Sequence, residues 1–205
     1  MKSAIRKNWF RETFIKKKKL DAQVEKNELY YQSRHDTDRK FQNNNWLMDD
    51  ADLLCIQARS VLELGCGNGR FLLQAMGTYD QVYGCDWALS PILAKTLLTH
   101  PKIRFLKLNV MEDPLPGPFD LVCSGDFLEH LAPASLDQVL TKIDHCARQA
   151  YHKIACYDDG HSHLSIFSPE EWLRRFRNND PGYQMAVDES RGENKKVAII
   201  KKTHG

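Results

Sequence analysis

Two stretches of this chain gather side chains that can move protons or hold cations: Asp126-Phe127-Leu128-Glu129-His130 and Asp158-Asp159-Gly160-His161-Ser162-His163. Imidazole titrates near neutral pH, and carboxylates accept protons or ligate metals, so either stretch could serve as a general base or a cation site. A third stretch, Val61-Leu62-Glu63-Leu64-Gly65-Cys66-Gly67-Asn68-Gly69-Arg70-Phe71, offers chemistry of another kind. Glycines at every second position remove Cβ atoms where a turn must bend sharply, and they let a ligand lie against the backbone. The helix start that follows presents unpaired N–H groups. Together these residues describe a site for a nucleotide-type cofactor, with the acidic Glu63 just ahead of it.

The elements that must position these groups alternate between the periods of strand and helix. Strands are expected at Ser60–Leu64, Gln81–Cys85, Ile103–Leu108, Phe119–Cys123, Tyr151–Cys156, Tyr183–Asp188 and Lys196–Lys201. Helices are expected at Gly69–Met76, Ser90–Thr99, Ala134–Ala150 and Ser168–Arg177, the last with Ser168 as N-cap and Pro169 at its first position. Asp49 or Asp50 could cap a short helix before the first strand, and residues 1–45 read as mostly helical and polar. The final two strands are joined by a short Gly-containing link and should form a hairpin. The fold class is therefore α/β, a doubly wound, seven-stranded, mostly parallel sheet with a C-terminal antiparallel hairpin. Ligands in such sheets bind beyond the carboxyl ends of the strands, which is where all three stretches fall.

The glycine pattern separates three kinds of site. A phosphate-cradling P-loop needs a lysine and a hydroxyl that Gly65–Arg70 lacks, and a dinucleotide fingerprint needs its third glycine one residue later. The acidic-x-Gly-x-Gly-x-Gly form resembles the first motif of the class I S-adenosylmethionine-dependent methyltransferases, and the resemblance covers roughly residues 58–202. Asp86 ends the second strand 17 residues after Gly69, where the family has a ribose-binding acid, and Trp87 stands where it has an adenine-facing residue. Asn109 occupies a place where the family has an aspartate, a departure that leaves an amide oxygen able to accept. The resemblance thus implies S-adenosylmethionine as cofactor, bound by Glu63, Gly65, Cys66, Gly67, Gly69, Asp86, Trp87, Asn109, Val110 and Ser124.

Ser124-Gly125-Asp126-Phe127 lacks the prolines of the motif shared by DNA amino-methyltransferases, which favours an oxygen acceptor. Asp126-x-x-Glu129-His130 is similar to a segment of two O-methyltransferase groups, the ubiquinone-pathway enzymes and the small-RNA 2′-O-methyltransferases. Asp126 and His130 in this segment, with His163 from the later loop, are the expected catalytic residues. The second resemblance also implies a divalent ion, Mg²⁺ or Mn²⁺, on Glu129, His130 and His161. The alternative is plainer: Glu129 caps a turn, His130 packs, and His161 and His163 decorate a polar loop.

Composition narrows the partners. Residues 1–40 hold 12 lysines and arginines against 6 acidic residues, whereas the remainder has 17 against 21. Residues 1–50 are accordingly expected to form a basic helical arm, able to touch nucleic acid or simply to be solvated, ahead of an S-adenosylmethionine-binding domain at 51–205. Tyr30, Tyr31 and Trp46 could form a lid over the cofactor or dock the arm structurally. Six cysteines without a CxxC pair argue for reduced thiols and against zinc. No apolar run approaches the ~20 residues of a membrane span, and no signal-peptide core interrupts the basic N-terminus, so a cytoplasmic location is expected. The expected function is methylation of a small-molecule or glycan-type acceptor, the alternatives being an RNA 2′-O-methyltransferase and a non-catalytic binding protein. No motif specifies the acceptor or an oligomeric state.

Overall fold

The computed structural model describes residues 27–192 and 194–203. Trp9, Phe10, Phe14, Ile15 and the Lys16–Lys19 run, the most basic part of the arm, lie outside them. The described chain opens with three short helices, α1 (Glu28–Thr37), α2 (Arg39–Asn43) and α3 (Ala51–Leu54). Asn27, Asp38 and Asp50 cap them, each side chain accepting N–H groups that a helix start leaves unpaired. Of the two aspartates expected before α3, Asp50 is the cap.

The α/β body follows: β1 (Ser60–Leu64), α4 (Arg70–Ala75), β2 (Gln81–Asp86), α5 (Pro91–Thr99), β3 (Ile103–Lys107), β4 (Phe119–Gly125), a 3₁₀ turn at Leu128–His130, α6 (Pro133–Cys146), β5 (Ala147–Ala155), α7 (Pro169–Arg177), β6 (Gln184–Asp188) and β7 (Val197–Lys202). The sheet order is β3-β2-β1-β4-β5-β7-β6. Neighbours are parallel through β5, and β7 pairs antiparallel with both β5 and β6. The expected topology holds, including the terminal hairpin and the link without a helix between β3 and β4.

Alternate residues of the central strands enter two cores. Leu62, Leu64 and Val122 pack against Leu136, Val139, Ile143, Trp172 and Phe176 of α6 and α7. Val61, Leu121 and Cys123 pack against Phe71, Leu72 and Leu93 of α4 and α5. Coverage on both faces explains why these strands read as continuous apolar runs rather than alternating ones. Trp172 and Phe176, four residues apart on α7, present one face of that helix to the first core.

Most boundaries shift by a residue or two, β4 running on to Gly125, and the largest difference lies ahead of β5. The helix ahead of β5 stops at Cys146 instead of Ala150, and β5 begins at Ala147 instead of Tyr151. Nothing in Ala147-Arg148-Gln149-Ala150 opposes a helix locally. The register places Ala147 against Phe119, so pairing with the whole length of β4 overrides local propensity.

The strand order reverses between β1 and β4, which opens a crevice at their carboxyl ends. The segment from α1 to α3 crosses this crevice and is tied down on both sides. Gln32 exchanges two hydrogen bonds of 3.1 Å with the backbone of Leu89, and Lys107 pairs with Glu28 at 2.7 Å. On the other side the largely buried Asp50 accepts from the Tyr151 hydroxyl and the Lys153 ammonium, all at 3.0 Å. Among the described residues no helix is long and apolar enough to cross a membrane. All six cysteines are free thiols.

Candidate active site

The glycine turn leaves β1 with Gly65 at φ 65° and Gly67 at φ 50°, in the left-handed region that side chains other than glycine rarely adopt. At Gly65 a second requirement applies, because a Cβ built there would overlap the Phe127 ring. Asp86 holds the turn from the end of β2. Its Oδ2 accepts the Gly67 N–H at 2.9 Å and its Oδ1 accepts the Ala88 N–H at 3.1 Å. Removal from water pushes the Asp86 carboxyl up, and these N–H donors together with His35 oppose the shift.

The crevice above the turn is lined by Trp87, Asn109, Val110 and Phe127 from the body and by Tyr31, His35 and Phe41 from α1 and α2. Asn109 caps its own loop, its side-chain oxygen accepting from Met111 N–H at 3.0 Å. Glu63 is buried beside Asn44, Asn45 and Trp46 in the adjoining part of the crevice, and its Oε2 has no partner among the described residues. Burial raises its carboxyl well above the usual range, with the Asn45 side chain opposing. The expected cofactor residues thus surround one crevice, with three exceptions. Gly69 lines neither part of it and packs against Leu93 of α5. The Cys66 side chain is buried beside Gly84, so Cys66 can contribute through its backbone. Ser124 turns away entirely: it is buried in β4 with its hydroxyl 2.8 Å from His152 Nδ1 in the core.

Beyond β4, Asp126 takes the left-handed conformation at φ 58°, and its N–H donates to the Lys153 carbonyl. Its Oδ2 accepts from Asn44 Nδ2 at 2.8 Å. Its Oδ1 faces His130 Nε2 at 3.9 Å and His163 Nε2 at 3.8 Å. The two imidazoles arrive from different elements. His130 ends the 3₁₀ turn, and its Nδ1 lies 3.1 Å from the Ser162 carbonyl. His163 belongs to a loop folded around Asp159, whose Oδ1 accepts the N–H groups of His161, Ser162 and His163. The His163 Nδ1 lies 2.6 Å from the Tyr157 carbonyl.

Burial works against charge on both rings, but the surrounding carboxylates outweigh it, raising His130 and holding His163 at about 9. The reciprocal effect holds the Asp126 carboxyl well below the ordinary range despite its own desolvation.

Two expected members of this cluster do not join it. The Glu129 carboxylate is fully buried and turned to the sheet, its Oε1 accepting from Ala155 N–H at 2.6 Å. Its burial, with the Asp126 charge added, pushes its pKa up to about 7. His161 is exposed and pairs with Asp159 at 3.1 Å. The set Glu129, His130 and His161 therefore does not converge, because the 3₁₀ turn and the Asp159-centred loop point alternate side chains in opposite directions. Asp126, His130 and His163 do converge, each offering one ligand atom within 4.8 Å of the others.

Sequence reasoning missed His35, Phe41 and Asn44. His35 is 2% exposed, packs beside the Gly67 turn, and has an Nδ1 without a partner among the described residues. Its spacing from Tyr31 puts both on one helical face, which was the available signal.

A glycine turn after β1, an acid after β2 and a crevice at the reversal of strand order define an α/β protein with the class I methyltransferase fold. Residues 61–150 match the family model for a methyltransferase domain. The chain carries a methyltransferase domain over those residues and has the methyltransferase fold as a whole. Several solved structures are similar to it. The 1,6-didemethyltoxoflavin-N1-methyltransferase of Burkholderia thailandensis, solved with 1,6-didemethyltoxoflavin and S-adenosylhomocysteine, is 16% identical, with a TM-score of 0.70 over 87% of each chain. A complex of DhpI with SAM and HEP is 17% identical, with a TM-score of 0.63 over 85% of this chain and 94% of that one. A putative O-methyltransferase of Nostoc punctiforme is 16% identical, with a TM-score of 0.58 over 72% of this chain and 52% of that one. No curated protein matches the chain.

Proposed function

We propose that this methyltransferase acts on a hydroxyl of a small-molecule or glycan-type acceptor, with Asp126, His130 and His163 handling the acceptor oxygen. The observation that carries this reading is the convergence of those three side chains beside the crevice that holds the glycine turn and Asp86. Methylation at oxygen requires the hydroxyl proton to leave, which is work for an imidazole backed by a carboxylate; because both rings are raised, their proton-accepting form gains as pH climbs, so turnover should rise with pH. Asp126 stabilises the imidazolium that forms. The similar structure with 1,6-didemethyltoxoflavin supports a small organic acceptor in this fold, although that enzyme methylates nitrogen.

The crevice fits S-adenosylmethionine by the chemistry of its walls. The backbone of Gly65 and Gly67 leaves room where side chains would intrude, and the second lone pairs of Asp86 remain for a ribose diol. The flat faces of Trp87 and Tyr31 suit adenine, with Asn109 and Val110 at its edge. The unpartnered, buried Glu63 oxygen suits the ammonium end. Bound there, the cofactor supplies an electrophilic methyl group. The chain's own part is to exclude water with α1 and α2, fix the acceptor oxygen, and take its proton. Residues 27–50 thereby act as the lid of the 51–205 domain. Neither Glu129 nor His161 lines the crevice, so the ligand set that the RNA-directed alternative implied is not assembled there, while most of the basic arm lies outside the described residues.

A thermal-shift measurement with S-adenosylmethionine and S-adenosylhomocysteine, followed by a product-release screen over hydroxylated compounds, tests the proposal. The expected result is stabilisation by both cofactor forms and turnover lost in His130→Asn with cofactor affinity retained. Failure of either cofactor form to raise the melting temperature would reject it.

A further inference from the structure

We propose that His35, carried into the crevice by α1, holds the carboxylate at the amino-acid end of the cofactor, an inference that rests on the methyltransferase reading. S-adenosylmethionine is a zwitterion at that end, with an ammonium and a carboxylate on one carbon. The partner of the carboxylate must therefore stand close to the partner of the ammonium. Glu63, whose unpartnered oxygen suits the ammonium, and His35 line the same part of the crevice. His35 also lines the part that holds Asp86 and Trp87, so it stands where the two parts join.

The walls hold little else that could receive an anion. They carry the carboxylates of Glu63, Asp86 and Asp126 and no lysine or arginine. The N–H groups of the glycine turn, of the kind that hold anions in phosphate cradles, are already engaged. Cys66 donates to the Cys85 carbonyl at 3.0 Å, Gly67 to Asp86 at 2.9 Å, and Gly69 to the Cys66 carbonyl at 2.8 Å. The amides of Asn44 and Asn68 are engaged too, the first with Asp126 and the second with the carbonyls of Gln42 and Asn44 at 2.8 and 2.9 Å. Of the side chains that line both parts, those of His35, Phe41 and Asp126, only the imidazole can donate at neutral pH.

The imidazole itself supplies the second, independent observation. It is 2% exposed, and its Nδ1 has no hydrogen-bond partner among the described residues. A buried nitrogen in that state destabilises the fold and calls for a partner from outside the chain. The ring is nonetheless well placed. It packs on Phe41 with centroids 4.8 Å apart, and the Gln42 amide donates to the His35 carbonyl, tying α1 to α2 at this point. A Cβ at Gly67 would lie 3.5 Å from His35 Cε1, so the imidazole rests directly on the turn. Burial lowers the ring's affinity for a proton against the pull of Asp86 and Asp36, so it meets the cofactor neutral, with one N–H to give.

The test is calorimetric, uses the full chain and needs no acceptor. Affinities are measured for S-adenosylmethionine and for decarboxylated S-adenosylmethionine, which keeps the sulfonium and the ammonium and lacks only the carboxylate. The native chain should bind the intact cofactor at least about tenfold more tightly than the analogue. His35→Phe, which keeps the ring packing on Phe41, should lose that preference by weakening the intact cofactor alone. His35→Gln, which keeps a donor, should recover part of it. A residue that merely packs α1 would weaken both ligands equally. Melting by circular dichroism shows that each variant is folded. Equal affinity of the native chain for the two ligands, a measurement that needs no variant, would overturn the assignment. So would equal losses for both ligands in folded His35→Phe, or a loss of preference confined to Trp46→Phe, which would move the carboxylate to the indole N–H. Binding of both ligands without preference defeats only the role of His35, whereas binding of neither rejects the methyltransferase reading itself.

Discussion

Asp86 and Gly67 are joined across two strands by a 2.9 Å hydrogen bond from the glycine N–H to the carboxylate Oδ2. The group that shapes the turn is also the one that the proposed cofactor site offers to a ribose. Replacing Asp86 with alanine should weaken S-adenosylmethionine binding at least tenfold and cost about 1 kcal/mol of stability from the lost N–H partner. Calorimetry and urea unfolding measure the two effects, and unchanged affinity would remove Asp86 from the cofactor site.

Gly65 and Phe127 form a tight pair. Gly65→Ala should destabilise the protein by about 1–3 kcal/mol, combining left-handed strain with overlap on the Phe127 ring. Phe127→Ala should recover the overlap but not the strain, so a double-mutant cycle gives a coupling energy of opposite sign to the single losses. Additive losses would show that the ring moves aside freely.

His152 sets a pH dependence. It is buried, with its pKa pushed down to about 3 by desolvation alone. The unfolded chain takes up a proton near 6.5, whereas the folded chain resists until about 3. Stability from this group is therefore full above 6.5 and falls as pH drops towards 3, with a slope approaching about 1.4 kcal/mol per pH unit. Urea midpoints measured from pH 7 to pH 4 should decline for the native chain. His152→Leu should flatten that decline, and an unchanged slope would assign the acid sensitivity elsewhere.

Asp50 anchors the segment that crosses the crevice. Asp50→Ala removes the cap of α3 and leaves Lys153 without its partner in a largely buried position. The expected loss is about 3 kcal/mol. Tyr151→Phe, which deletes only the neutral donor, should cost about 1 kcal/mol. Equal losses for the two would mean that the ion pair adds nothing.

How much of this was legible in the sequence follows from the range of the interactions. The strands around Leu62, Leu64 and Val122 were visible because burial on both faces writes itself as a local apolar run. The glycine turn and Asp86 were visible because their chemistry needs fixed types at fixed spacing. The start of β5 was not, since the partner of Ala147 is Phe119, 28 residues away. Within the polar cluster the types were legible but the facing was not. Whether Glu129 or Asp126, His161 or His163, joins the cluster depends on a 3₁₀ turn and on Asp159 gathering three N–H groups. Asn44 and His35 reach their places from an arm whose own pattern names no site.

The hydrogen bond from Asn44 to Asp126 gives the arm a second duty. Under the proposed function, seating the arm would both cover the crevice and hold the Asp126 carboxylate, making the two a single mechanical event. Lifting residues 27–50 to let a product leave would then free the carboxylate as well. On that reading the contact would be an interlock, keeping the methyl donor from meeting the proton acceptor while the door is open.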